Sequence, residues 1–100
     1  MKMVIGIIRE TCLDGTVKDL EKINVRDMTI SEVKGIGEQV TVYKPYAVHV
    51  MIQIIVPDDK VDEVIDVILK CARCGMAGDG IIVVSPIDYM INIRTKERLE

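Results

Sequence analysis

The chain contains no phenylalanine and no tryptophan, and its aromatic residues are three tyrosines. A sheet that reads RNA by stacking bases needs aromatic side chains on its central strands, so this composition argues against that use. Excess positive charge is also missing. Thirteen basic residues stand against 16 acidic ones, a formal net charge of -3 spread along the chain, which offers no footprint for a phosphate backbone. No apolar run reaches the roughly 18 residues that a membrane-spanning helix requires. Met1-Lys2-Met3-Val4 leads directly into a strand-like segment rather than a signal-peptide pattern, so the expectation is a cytoplasmic protein with no direct membrane insertion. Three cysteines, an odd number whose closest pair sits in a helical pattern, argue for reduced thiols rather than a secreted disulfide framework.

What is present is aliphatic. One hundred residues make one domain, 49% of them apolar, and so much Ile, Val, Leu and Met on so small a body is most simply placed against other copies of the chain. Val4-Ile5-Gly6-Ile7-Ile8 predicts a strand buried on both faces. Leu13, Val17, Leu20 and Ile23 recur at helical spacing, with Asp14 placed at the helix N-terminus. Met28-Thr29-Ile30-Ser31 alternates as a second strand and runs into Lys34-Gly35-Ile36-Gly37; residues 38–46, with Pro45, read as a loop or hairpin stem.

From Ala47 to Val56 the period is two. Val48, Val50, Ile52, Ile54 and Val56 share one face, and His49, Met51, Gln53 and Ile55 lie on the other. Pro57 ends that strand and Asp58 is placed to cap a helix whose stripe is Val61, Val64, Ile65, Ile68 and Ala72, with Gly75 placed to terminate it. Ile81 to Val84 predicts a buried strand, Ser85-Pro86 a break, and Met90 to Arg94 a last strand on which Asn92 and Arg94 share a face. The order βαββαβ predicts an α+β, ferredoxin-like sandwich with both helices on one sheet face and the mixed face of His49, Met51, Gln53 and Ile55 left for a subunit interface.

Two local patterns carry chemistry by residue type. Gly78-Asp79-Gly80 frames a turn whose backbone N–H groups are unobstructed by side chains, as a phosphate cradle requires, although an ordinary tight turn reads the same way. Cys71-Ala72-Arg73-Cys74 has the spacing of redox and metal sites, and on a continuous helix its thiols share a face; with His49 it forms the alternative reading of a metal- or redox-responsive sensor. No second cysteine pair completes a zinc tetrad, and no nucleophile pairs with a base, so an enzyme is not expected.

Taken together, Thr29 with Lys34-Gly35-Ile36-Gly37-Glu38-Gln39, Ile54-Ile55-Val56-Pro57-Asp58, Ala72 to Gly80, and Ile93-Arg94-Thr95 resemble, in order, the PII signal-transduction family of nitrogen regulatory proteins. The resemblance spans nearly the whole chain. It implies a PII-like domain over 1–95, a homotrimer whose intersubunit clefts bind an adenine nucleotide (ATP, ADP or AMP), an effector loop at about 37–46, and a tail at 96–100. That loop, shorter than is usual, would carry Glu38, Tyr43 and Tyr46 and act on a membrane transporter or metabolic enzyme. The implied nucleotide site comprises Ile7, Thr29, Gly35, Gly37, Gln39, Gly78, Asp79, Gly80 and Arg94, with Gln39 matching the residue that helps hold magnesium and 2-oxoglutarate.

Several positions depart from that pattern. Glu38, Ile81 and Asn92 stand where the family places an arginine, a lysine and a second C-terminal arginine. His49 and Gln53 replace a lysine and a glutamate on the third strand, the lysine being a 2-oxoglutarate anchor. Charge-assisted hydrogen bonds are about twice as strong as neutral ones. The expected ligand is therefore a less charged adenine nucleotide, with weak sensing of 2-oxoglutarate.

Overall fold

In the computed structural model, which describes residues 1–35, 47–76 and 78–100, β3 (Ala47–Val56) is one of the two central strands of the sheet. Its inward side chains Val50, Ile52, Ile54 and Val56 are 3%, 0%, 1% and 5% exposed, so the period-two pattern is a true division between core and outer face. β3 pairs antiparallel with β2 (Met28–Gly35) on one side and β1 (Lys2–Arg9) on the other, and β4 (Gly80–Pro86) pairs antiparallel with β1. The order β2-β3-β1-β4, with helices after β1 and β3, is the ferredoxin-like topology.

Helix α1 (Leu13–Lys22) buries Leu20 and Thr16, the Thr16 hydroxyl donating to the Cys12 carbonyl at 2.7 Å. The helix closes with a left-handed residue, Asn24 at φ 66. The Asn24 N–H donates to the Glu21 carbonyl and the Val25 N–H to the Leu20 carbonyl, each at 3.0 Å. This is a Schellman cap, and Val25 packs into the core with Leu20 as such caps favour. Helix α2 (Val61–Ala72) presents Val61, Val64, Ile68 and Ala72 to the same core. Burial of each Val, Leu or Ile in this set contributes about 1.5–3 kcal/mol.

Two expected helix signals act differently. Asp58 makes no side-chain cap; residues Asp58–Lys60 form a 3₁₀ turn, and the Asp58 carboxylate instead accepts from the Met1 ammonium at 2.9 Å. Helix α2 stops because Arg73 turns extended (φ -79, ψ 118), so Gly75, at φ 82, shapes the loop beyond rather than the helix end.

The sheet also differs from expectation at its rim. β1 is buried on one face only: Val4, Gly6 and Ile8 are buried while Ile5 and Ile7 are half-buried on the face that no helix covers. β4 is an edge strand, with Ile81 and Val83 57% and 43% exposed, although its sequence reads as interior. An apolar run marks a strand that some surface will cover, without saying whether that surface belongs to the same chain.

The expected last strand is only β5 (Met90–Ile91), paired with β6 (Arg98–Leu99). The Asn92 side chain interrupts it by accepting from the Thr95 N–H at 3.1 Å, and the Lys96 N–H donates to the Asn92 carbonyl at 2.7 Å. Arg94 therefore sits on a turn rather than beside Asn92 on a strand face. Residues 96–100 are exposed, as a solvated tail would be, but they fold back on the segment that precedes them, with the Arg98 guanidinium 4.8 Å over the Tyr89 ring.

Candidate functional site

The site grows from the way β1 and β3 deliver their ends to the loop before β4. Gly80 opens β4 opposite Ile8 at φ 110, where a Cβ would collide with the Ile7 carbonyl oxygen. Only glycine fits so close an approach in that conformation. Gly78, at φ 95, lets the chain turn immediately before it.

Between the glycines, Asp79 organises the loop. One carboxylate oxygen accepts from the N–H groups of Cys74 and Gly75 at 2.8 Å each and of Met76 at 3.3 Å, while the other accepts from Arg9 Nη2 at 3.3 Å. The Cys74 N–H foremost, then those of Gly75 and Met76 and the Arg9 charge, hold this carboxyl below its ordinary value of 3.8; partial burial opposes them. Three backbone donors in a row make an anion-binding nest, and here the anion is the protein's own. The Asp79 N–H itself donates to the Met76 carbonyl at 3.2 Å, so that amide is not free to cradle a phosphate.

His49, on the uncovered sheet face, is only 6% exposed, and its Nε2 lies 2.9 Å from the Gly78 carbonyl. A carbonyl can only accept, so Nε2 carries the proton. Among the described residues its buried Nδ1 meets no hydrogen-bond partner. Beside it lies a hollow of ≈ 350 Å³ lined by Ile7, Val33, Lys34, His49, Met51, Gly80 and Ile81. Its walls are mainly aliphatic, and the one lysine enters from edge strand β2.

Of the residues singled out from sequence, Ile7 and Gly80 line this hollow and Gly78 and Asp79 form the loop at its rim. Thr29 is exposed on the same sheet face, four residues along β2 from Val33, or about 13 Å. Gly35 ends β2 opposite Ala47. Arg94 is exposed on the C-terminal turn and does not line the hollow. Gly37, Glu38, Gln39, Tyr43 and Tyr46 lie outside the described residues. Sequence reasoning passed over Arg9 and Val33, and read Met51 only as part of a subunit interface. The parity of β2 and β3 places Val33 and Met51 beside His49, and the antiparallel pairing of β1 brings in Arg9.

The cysteines do not assemble. Because α2 ends at Ala72, Cys71 and Cys74 no longer share a helical face. The Cys71 thiol donates to Asp19 Oδ2 at 3.2 Å; burial foremost, then Asp19, push it above its ordinary value of 9.0 and away from the reactive thiolate. Among the described residues no group of three or more His, Cys, Asp or Glu could hold a metal ion, and no helix is long and apolar enough to cross a membrane.

With both helices on one sheet face and a glycine-framed anion nest at its rim, the described residues define a small α+β domain of the ferredoxin-like class. The comparison with known proteins narrows that class. The sequence model of the family described as Nitrogen regulatory protein P-II matches residues 1–97. Similar proteins include the nitrogen regulatory protein GlnK of Escherichia coli (strain K12) and that of Shigella flexneri. Each is 38% identical over 106 aligned positions that cover 97% of this chain and 95% of the relative. The chain belongs to the P-II nitrogen regulatory protein family.

Proposed function

We propose that this P-II protein assembles as a cytoplasmic homotrimer through its uncovered sheet face and binds an adenine nucleotide in the clefts between subunits. The segment 37–46 then engages a transporter or metabolic enzyme according to what the clefts hold. The observation that carries the reading is the hollow of ≈ 350 Å³ that brings Ile7 and Gly80 together beside the Gly78–Gly80 turn. Thr29, about 13 Å along the same face, is within the span of an extended nucleotide. The half-buried Met51 and the exposed Ile55, Ile81 and Val83 give the uncovered face its reason to associate.

The same hollow favours a small charge. Ile81 forms wall where a cation would serve a triphosphate, and the three N–H donors of the nest are already engaged by Asp79. His49 Nε2 is committed to the Gly78 carbonyl instead of standing free to meet a carboxylate, which supports weak 2-oxoglutarate sensing. The preferred ligand is AMP or ADP over ATP, with Arg94 supplied by a neighbouring subunit and magnesium adding little.

Isothermal calorimetry with ATP, ADP, AMP and cyclic AMP, each with and without 2-oxoglutarate and magnesium, tests this. The expected result is saturable binding of AMP or ADP that Arg94→Ala weakens. Submicromolar ATP binding unaffected by Arg94→Ala would defeat the pocket assignment, and silence with all four nucleotides would defeat the ligand class.

A further inference from the structure

Arg9 and His49 are directly opposite one another across the β1–β3 ladder, and they grip consecutive residues of one loop. Arg9 holds the Asp79 carboxylate at 3.3 Å, and His49 holds the Gly78 carbonyl at 2.9 Å. The two contacts join positions 70 and 29 residues apart in sequence, so the end of β1, the start of β3 and the turn into β4 share one fastening. We infer that this cross-strand pair is a clamp that transmits the conformation of the Gly78–Gly80 turn to the first residues of β3.

Three features favour a coupling role over simple support. His49 lines the ligand hollow while bonded to its rim, so any occupant that moves Gly80 also loads the imidazole. Among the described residues its buried Nδ1 has no hydrogen-bond partner, a cost that a residue kept for stability alone would shed, since an aliphatic side chain of similar size carries no such orphan. Finally, His49 follows the start of β3 by only two residues, so a shift in its backbone reaches Ala47 with no intervening hinge. Arg9 and His49 are thus positioning residues. The consequence for ligands rests on the nucleotide reading above, whereas the clamp itself exists without one.

Hydrogen exchange resolved by mass spectrometry on the intact chain tests the two separately. Without ligand, His49→Leu is expected to raise exchange in 74–80 and in 47–50 together, by roughly fivefold for the loss of one hydrogen bond. Peptides from β1 and α2 that exchange by local fluctuation should stay near wild type, and the urea midpoint should fall by no more than the loss of that one bond accounts for. His49→Gln, which restores an N–H donor, should recover both regions.

Arg9→Met should raise the same two regions, and the double variant should exceed neither single by the product of their effects, because coupled residues are non-additive. Unchanged exchange in 74–80, failed rescue by glutamine, or multiplicative effects in the double variant would overturn the clamp. Should His49→Leu not fold, Arg9→Met carries the same test through exchange at 47–50. AMP, added as the probe, should slow both regions in wild type but only 74–80 in His49→Leu. If AMP changes nothing in wild type, the nucleotide reading falls while the ligand-free comparison still decides the clamp.

Discussion

Gly80→Ala should be among the most damaging single-methyl additions this chain can receive. Position 80 holds φ 110, and the added Cβ would overlap the Ile7 carbonyl oxygen while pressing on the Ile7 carbonyl carbon at 2.9 Å and Ile8 Cα at 3.3 Å. All three are backbone atoms of the neighbouring strand and cannot swing aside. Backbone strain of this kind costs about 1–3 kcal/mol. Parting the strands at the Ile8–Gly80 pair forfeits a hydrogen bond, about 1 kcal/mol more. The sum, about 2–4 kcal/mol, is a large share of the roughly 5–15 kcal/mol that holds a domain folded. It corresponds to roughly 10–25 °C in Tm.

Gly75→Ala is the control. Position 75 has φ 82 but no atom of the described residues within 4 Å of the added carbon, so the left-handed penalty of about 1–2 kcal/mol is the cost expected there. Urea unfolding of both variants at one fixed protomer concentration, followed by far-ultraviolet circular dichroism, compares them. Gly80→Ala no worse than Gly75→Ala within about 0.5 kcal/mol would refute the close approach of β4 to β1 described here.

Other outcomes follow from single contacts. Asn24→Ala should cost about 1 kcal/mol in thermal unfolding because alanine resists φ 66, and Asn24→Gly should be nearly neutral; equal losses would remove the Schellman cap as the cause. The Asp79 carboxyl lies below its ordinary 3.8, so its contribution is present above that pH and fades as acid carries the solution down through the folded-state value. Asp79→Asn should therefore blunt the acid-induced rise in exchange at 74–76, and an identical pH profile in both proteins would count against the nest. In timed alkylation with iodoacetamide near pH 8, exposed Cys74 should react well before Cys71, and Asp19→Asn should speed Cys71; faster labelling of Cys71 in wild type would contradict its bond to Asp19.

How far residues announce their surroundings varies along the chain. β3 was legible to its ends because one face is fully apolar, and a slip of one residue would bury His49 and Gln53 in the core. The stripes of α1 and α2 were equally plain. β4 misled because hydrophobicity records that a surface is suited to being covered, and among the described residues nothing covers Ile81 and Val83. The C-terminal strand was cut short by Asn92, whose side chain competes with the ladder for backbone N–H groups, a choice between two local bonds that composition does not decide.

At the site, Gly78, Asp79 and Gly80 were visible as a motif, but the role of Asp79 was not. Its bonds reach Arg9, 70 residues away, and three N–H groups whose direction depends on where α2 stops. The Cys71–Cys74 spacing suggested a pair only while the helix was taken to continue through both.

An anion site that carries its own anion has a thermodynamic character distinct from an empty one. With the Asp79 carboxylate seated on Cys74, Gly75 and Met76, those three N–H groups are already arranged around a negative charge, so a molecule binding there would owe little entropy for arranging them. A negatively charged ligand gains nothing from those three amides unless it evicts a resident held by Arg9 as well. If the proposed nucleotide binds beside this loop, the resident carboxylate would act as a sieve on its charge, since each further negative charge would contend with a carboxylate that cannot diffuse away.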